Sequence, residues 1–90
     1  MDNKQIPDVL VVPAFRYCLG RETYIVQEFV NFLVKNWQDI GERSKICILR
    51  ELDAAFEQDD IDRINGTPFR TLGQDCDREQ WERVRELWRK

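Results

Sequence analysis

The sequence predicts a small all-α domain, a bundle of three to four helices with a short N-terminal extended segment. The chain has 90 residues, the length of one domain. Apolar residues make up 42% of it and charged residues 34%, a balance typical of folded globular proteins. Apolar side chains recur at helical spacing in separate segments, which glycines and prolines divide. We therefore expect a flexible N-terminal arm over residues 1–7 and a single helical domain over residues 8–90.

The first element after the arm is predicted to be the extended segment. Val9–Val12 is a valine-rich run that stops at Pro13, and β-branched side chains favour extended backbone. Pro13 suits the first position of a short helix over Ala14–Leu19, which Gly20 ends in the left-handed conformation. The alternative for this region is a β-hairpin, in which FRYCL and TYIV pair across Gly20. We favour helix–turn–helix.

The clearest predicted element is a helix over Tyr24–Ile40, capped by the hydroxyl of Thr23. Its apolar side chains cover about 200° of the helix circumference, twice the ~100° stripe of a surface helix. They are Ile25, Val26, Phe29, Val30, Phe32, Leu33, Val34 and Trp37. We therefore expect this helix at the centre of the bundle, or part of its apolar arc to face a partner.

Two further helices are predicted, one over Glu42–Gln58 and one that begins after Asp77. The apolar stripe of the first comprises Ile48, Leu49, Leu52, Ala55 and Phe56. Asp77 is the predicted N-cap of the last helix, because Gln80 follows at the position that completes a capping box. Trp81 and Trp88 lie seven residues apart, so both are predicted on the buried face of this helix.

The connection between these helices, from Asp59 to Asp77, is predicted to be a long acidic loop. Its turn residues are Asn65, Gly66, Pro68 and Gly73. Connections of this length are uncommon in compact domains and are often functional. Asp59, Asp60 and Asp62 have only Arg63 as a base nearby in the sequence. We therefore expect these three acids to steer a partner with a basic surface rather than to support the fold.

Composition excludes several classes of function. The chain has no histidine and one serine, Ser44, so the usual pieces of nucleophile–base catalysis are missing. Its net charge of −3 disfavours direct nucleic-acid binding, and no apolar run approaches a membrane span. The start of the chain lacks the pattern of a signal peptide. We expect a cytoplasmic protein that is not an enzyme and holds no cofactor.

The cysteines are expected to be free thiols rather than metal ligands. Cys18, Cys47 and Cys76 are far apart in the sequence and form no CxxC pair. In a reducing compartment such thiols behave as small hydrophobic residues. A zinc site completed by a carboxylate is the alternative.

The segment FRYCLGRETY is the best candidate for a binding site. It places Arg16, Tyr17, Arg21 and Tyr24 around a glycine turn, and tyrosine and arginine are enriched in binding hot spots. The alternative is structural: the tyrosines pack at the corner between two helices, and the arginines bind nearby carbonyls or acids.

This segment and the motif DCDREQW resemble small uncharacterised proteins of bacteriophages and mobile elements. The resemblance implies an accessory binder or an inhibitor of host machinery, as anti-CRISPR proteins are. The predicted function is a non-enzymatic protein-binding module that inhibits a host defence or regulatory protein. The alternatives are a homo-oligomeric structural protein, with a homodimer as its simplest form, and a cysteine-based metal-binding domain.

Overall fold

The computed structural model describes residues 5–89, and over that range its fold is a small all-α bundle, as the sequence predicts. A single 3₁₀ turn, Trp37–Asp39, follows the second helix. The helices are α1 (Asp8–Cys18), α2 (Thr23–Asn36), α3 (Glu42–Asn65) and α4 (Asp75–Arg89). Within residues 5–89, no helix combines the length and the apolar character needed to cross a membrane.

The four helices form a ring. α1 packs against α2 and α3, and α4 packs against the same two helices, so α2 and α3 lie across a diagonal. α1 runs parallel to α3, because Asp8 bonds Ser44 near their N-terminal ends and Arg16 pairs with Glu51 further along. The short turn between α1 and α2 makes these two helices antiparallel neighbours.

The core lies on the apolar stripes that the sequence predicts. Val26, Val30 and Leu33 of α2 are fully buried, as their spacing predicts. The helix ends at Asn36 rather than at the predicted Ile40, and it is one of the four helices in the ring rather than a central helix. On α3 the predicted stripe is buried at Ile48, Leu52, Ala55 and Phe56, with Leu49 half-buried. On α4 the prediction of two buried tryptophans is right only for Trp81, because Trp88 is 47% exposed.

The prediction of an extended segment over Val9–Val12 is wrong, because these residues belong to α1 and Pro13 lies inside the same helix. A helix places Val11 and Phe15 on one face, one turn apart, and both are buried. Burial of these side chains outweighs the modest preference of valine for extended backbone. Pro7 is the N-cap of α1, and its carbonyl oxygen accepts the N–H groups of Leu10 and Val11.

Extended backbone occurs before α1. The Ile6 N–H donates a hydrogen bond of 2.9 Å to the carbonyl oxygen of Asp39, and Ile6 forms an isolated parallel bridge with Ile40. Residues 1–4, the first part of the predicted arm, lie outside the described residues.

The turn between α1 and α2 confirms helix–turn–helix over the hairpin alternative. Gly20 adopts a φ of +78°, the left-handed conformation predicted for it. The predicted cap at Thr23 is wrong by one position: α2 begins at Thr23, Glu22 is the N-cap, and no side chain caps this end. The Thr23 hydroxyl instead lies 3.9 Å from the sulfur of Cys76.

α3 continues past the predicted end at Gln58 to Asn65, so the acidic segment that starts at Asp59 is helical rather than a loop. Gly66, with a φ of +68°, ends the helix. The helix continues because Asp59 and Asp62 lie on its buried stripe, where other residues of the chain bind them.

α4 starts earlier than predicted, at Asp75. Asp77 is therefore not the N-cap. Its carboxylate accepts the backbone N–H of Gln74 at 3.1 Å, the reciprocal half of a capping box in which the acid is the third residue of the helix.

Candidate functional site

The residues proposed as a partner-binding site from the sequence fall into two separate regions. One is the set of acids on α3, and Asp59 is its centre. The Asp59 side chain is fully buried and accepts hydrogen bonds from Arg70 Nε (3.2 Å), Arg70 Nη2 (2.7 Å), the Leu72 N–H (3.1 Å) and Arg78 Nη1 (2.7 Å). Burial by itself raises the pKa of this carboxyl, but these bonds outweigh burial and lower the pKa to about 2.

The neighbouring acids have similar partners. Asp62 accepts the N–H and the hydroxyl of Thr71, both at 2.8 Å, and the amide of Gln58 at 3.1 Å. The bond from the Thr71 hydroxyl is the main reason that the Asp62 pKa lies below its usual value. Asp60 is more exposed and pairs with Arg78 at 2.8 Å.

These contacts join residues 70–72 and α4 to the end of α3. Arg63 is the only base near these acids in the sequence, but Arg70 and Arg78, 11 and 19 residues beyond Asp59, form ion pairs with Asp59, and Arg78 also pairs with Asp60. The prediction that these acids do not support the fold is therefore wrong for Asp59, whose ion pairs join α3 to α4 and to residue 70, and for Asp62, whose hydrogen bonds hold Thr71. A role of these acids in partner binding stays a prediction.

The second region is the corner between α1 and α2. The guanidinium of Arg21 lies 4.3 Å from the centre of the Tyr17 ring, and its Nε donates to the Tyr17 carbonyl oxygen at 2.9 Å. Tyr17 is 57% exposed, and Tyr24, in the first turn of α2, is 68% exposed. We call these three residues the Tyr–Arg corner.

Arg16 points away from this corner toward α3. Its Nη2 lies 2.6 Å from a carboxylate oxygen of Glu51, and the Cys47 thiol donates to the same carboxylate at 3.3 Å. The bond from Arg16 lowers the pKa of Glu51. The structure therefore brings Tyr17 and Arg21 together and gives Arg16 a separate ion pair.

An apolar surface adjoins the corner, and the sequence indicates it only through the wide arc of the second helix. Two clefts of about 400 Å³ and 340 Å³ lie between α1 and α2 and share Phe29 and Phe32. We call their combined lining the α1–α2 face: Ile6, Leu10, Val11, Ala14, Cys18, Tyr24, Ile25, Glu28, Phe29 and Phe32.

The exposed apolar surface in this region is comparable in area to the largest apolar patch of a typical monomer. At about 150–250 Å² per aromatic side chain, the exposed parts of Tyr17, Tyr24 and Phe32 amount to roughly 300 Å². Leu10 adds to this area, because it is 62% exposed. The largest apolar patch of a typical monomer covers about 300–600 Å² and is often functional.

The cysteines lie in three different environments. Cys18 is buried, Cys47 half-buried and Cys76 exposed, and all three are free thiols. Burial raises the pKa of the Cys18 thiol. Within residues 5–89, no three histidine, cysteine or acidic side chains are grouped as metal ligands would be.

Comparison of the chain with protein-family models, with curated proteins and with solved structures finds no significant match. The geometry of these surfaces is therefore the basis for a functional proposal.

Proposed function

We propose that this protein is a non-enzymatic protein-binding module of the cytoplasm that inhibits a host defence or regulatory protein, as phage anti-CRISPR proteins do. The observation that carries the proposal is the Tyr–Arg corner, in which Tyr17 and Tyr24 are more than half exposed beside the ordered guanidinium of Arg21. The resemblance of FRYCLGRETY and DCDREQW to phage and mobile-element proteins supports the inhibitor role.

The corner has the properties of a binding hot spot. Arg21 is held by the Tyr17 ring and by the Tyr17 carbonyl oxygen, so little side-chain entropy is lost when a partner binds. A tyrosine contributes a large apolar ring and one polar hydroxyl, which suits a pocket with one hydrogen-bonding group at its base. The net charge of −3 favours a partner with a basic surface at long range.

The test is capture of a partner from host extract by the immobilised protein, followed by binding kinetics with the purified partner. Tyr17→Ala and Tyr24→Ala should each increase the dissociation rate by about 10- to 100-fold, the effect of removing a hot-spot side chain. Ile64→Ala is the matched control, because Ile64 is an apolar residue of α3 that is 84% exposed.

Two outcomes would contradict the proposal. The first is that host extract contains no protein that binds. The second is that the partner dissociates from Tyr17→Ala, Tyr24→Ala and Ile64→Ala at the rate measured for the unchanged protein.

A further inference from the structure

The middle of the α1–α2 face is uncharged on the α1 side. Leu10 and Ala14 are one turn apart on α1, and Pro13 lies beside them at the exposed surface. On α2, Phe29 and Phe32 complete the face, with their rings stacked 5.8 Å apart. The largest exposed apolar patch of a small domain is often functional, and a protein partner is one occupant that such a patch fits.

Two opposite charges frame this apolar surface along α2. Glu28 and Lys35 are both exposed and lie seven residues apart, two helical turns, so they project from the same side of the helix. Phe32 lies between them on that side. Within residues 5–89, neither charge forms an ion pair with another side chain.

This arrangement is complementary to itself. A twofold axis that passes beside Phe32 sets α2 antiparallel to α2 of a second copy. Glu28 of each copy then lies opposite Lys35 of the other, and the apolar residues of the two faces meet between these pairs. Because a twofold interface places the same patch on both sides, one mixed-charge helix supplies both halves of each ion pair.

We propose that the middle of the α1–α2 face is the interface of a twofold-symmetric homodimer. This inference goes beyond the proposed function and does not depend on it. Tyr17 and Arg21 lie at the end of the face rather than at its middle, so the dimer carries one Tyr–Arg corner at each end of the paired α2 helices. Under the proposed function, such a dimer is a bivalent inhibitor.

The first test is sedimentation equilibrium of the full chain from about 1 µM to about 1 mM, a range that covers moderate dimer affinities. Leu10→Glu should raise the dimer dissociation constant at least about tenfold, because it places two unpaired carboxylates in an apolar interface. Ile64→Glu, the same kind of change on α3, should leave the dissociation constant unchanged. A monomer over the whole range, or equal effects of the two variants, would overturn the proposal.

The second test exchanges the charges. Glu28→Lys and Lys35→Glu should each weaken the dimer by about threefold to tenfold, since each change replaces attraction by repulsion at two symmetric positions. The double variant restores both pairs and should recover the affinity of the unchanged protein. Circular dichroism confirms that each variant is folded. If the loss of dimerisation free energy in the double variant equals the sum of the losses in the two single variants, the proposed interface is wrong.

Discussion

Asp59→Asn tests the central claim about the α3 acids, that their charge stabilises the fold. The substitution keeps the shape of the side chain but removes the charge that Arg70 and Arg78 share. It also replaces one accepting oxygen by an amide group that faces their N–H donors. Removing one partner of a buried ion pair costs about 3–5 kcal/mol. That loss is a large fraction of the typical domain stability of about 5–15 kcal/mol.

The pH dependence of stability gives a second value for the free energy that the charge of Asp59 contributes. The Asp59 pKa falls from its ordinary value of 3.8 to about 2 in the folded protein. Because the pKa is lowered, the stabilisation is complete above about pH 4 and is lost as pH falls through 2. At about 1.36 kcal/mol for each pKa unit, the stabilisation from the charge of Asp59 amounts to about 2 kcal/mol. The difference in stability between the unchanged protein and Asp59→Asn should therefore narrow by about that amount between pH 5 and pH 2.

The measurement is urea unfolding followed by far-UV circular dichroism at several pH values. Asp60→Asn is the matched control, because the Asp60 side chain is 57% exposed and an exposed ion pair contributes at most about 1 kcal/mol. If Asp59→Asn unfolds at the same urea concentration as Asp60→Asn at pH 7, the ion pairs do not stabilise the protein and our reasoning fails.

Three further predictions concern the core, two glycines with left-handed backbone and the exposure of the cysteines. Leu33→Ala should lower the free energy of unfolding by about 2–5 kcal/mol, and a melting curve like that of the unchanged protein would refute its place in the core. Gly20→Ala and Gly66→Ala should each lose about 1–2 kcal/mol in urea unfolding because both φ angles are left-handed. Gly20→Ala should lose more, since its Cβ would lie 3.1 Å from a backbone oxygen, whereas Gly66 has open space. In mass spectrometry, a maleimide should label exposed Cys76 before buried Cys18; the reverse order would contradict their assigned exposure.

The helical periodicity determined much of the fold without any structure. The spacing of Val26, Val30 and Leu33 predicts which face of α2 is buried, because a helix brings residues three and four apart onto one side. Gly20 likewise predicts the turn, since a left-handed φ is accessible to glycine at little cost. Both signals are local in the chain. The sequence also predicts that Tyr17 and Arg21 lie together, because both flank the turn at Gly20, but it groups Arg16 with them, whereas the structure pairs Arg16 with Glu51.

Only the tertiary structure decided where the α3 acids lie and what they do. The sequence alone suggests that a carboxylate is a solvated charge. The arginines that bind Asp59 lie 11 and 19 residues away, Arg70 in the segment after α3 and Arg78 on α4. Whether such groups meet depends on how α3 packs against α4, which no local pattern contains. The same holds for Val9–Val12, which lie in α1. The free energy gained by burying a side chain such as Val11 is larger than the preference of valine for extended backbone. Local backbone preferences contribute less free energy than burial and ion pairing. Tertiary contacts therefore determine both the conformation of Val9–Val12 and the position of the α3 acids.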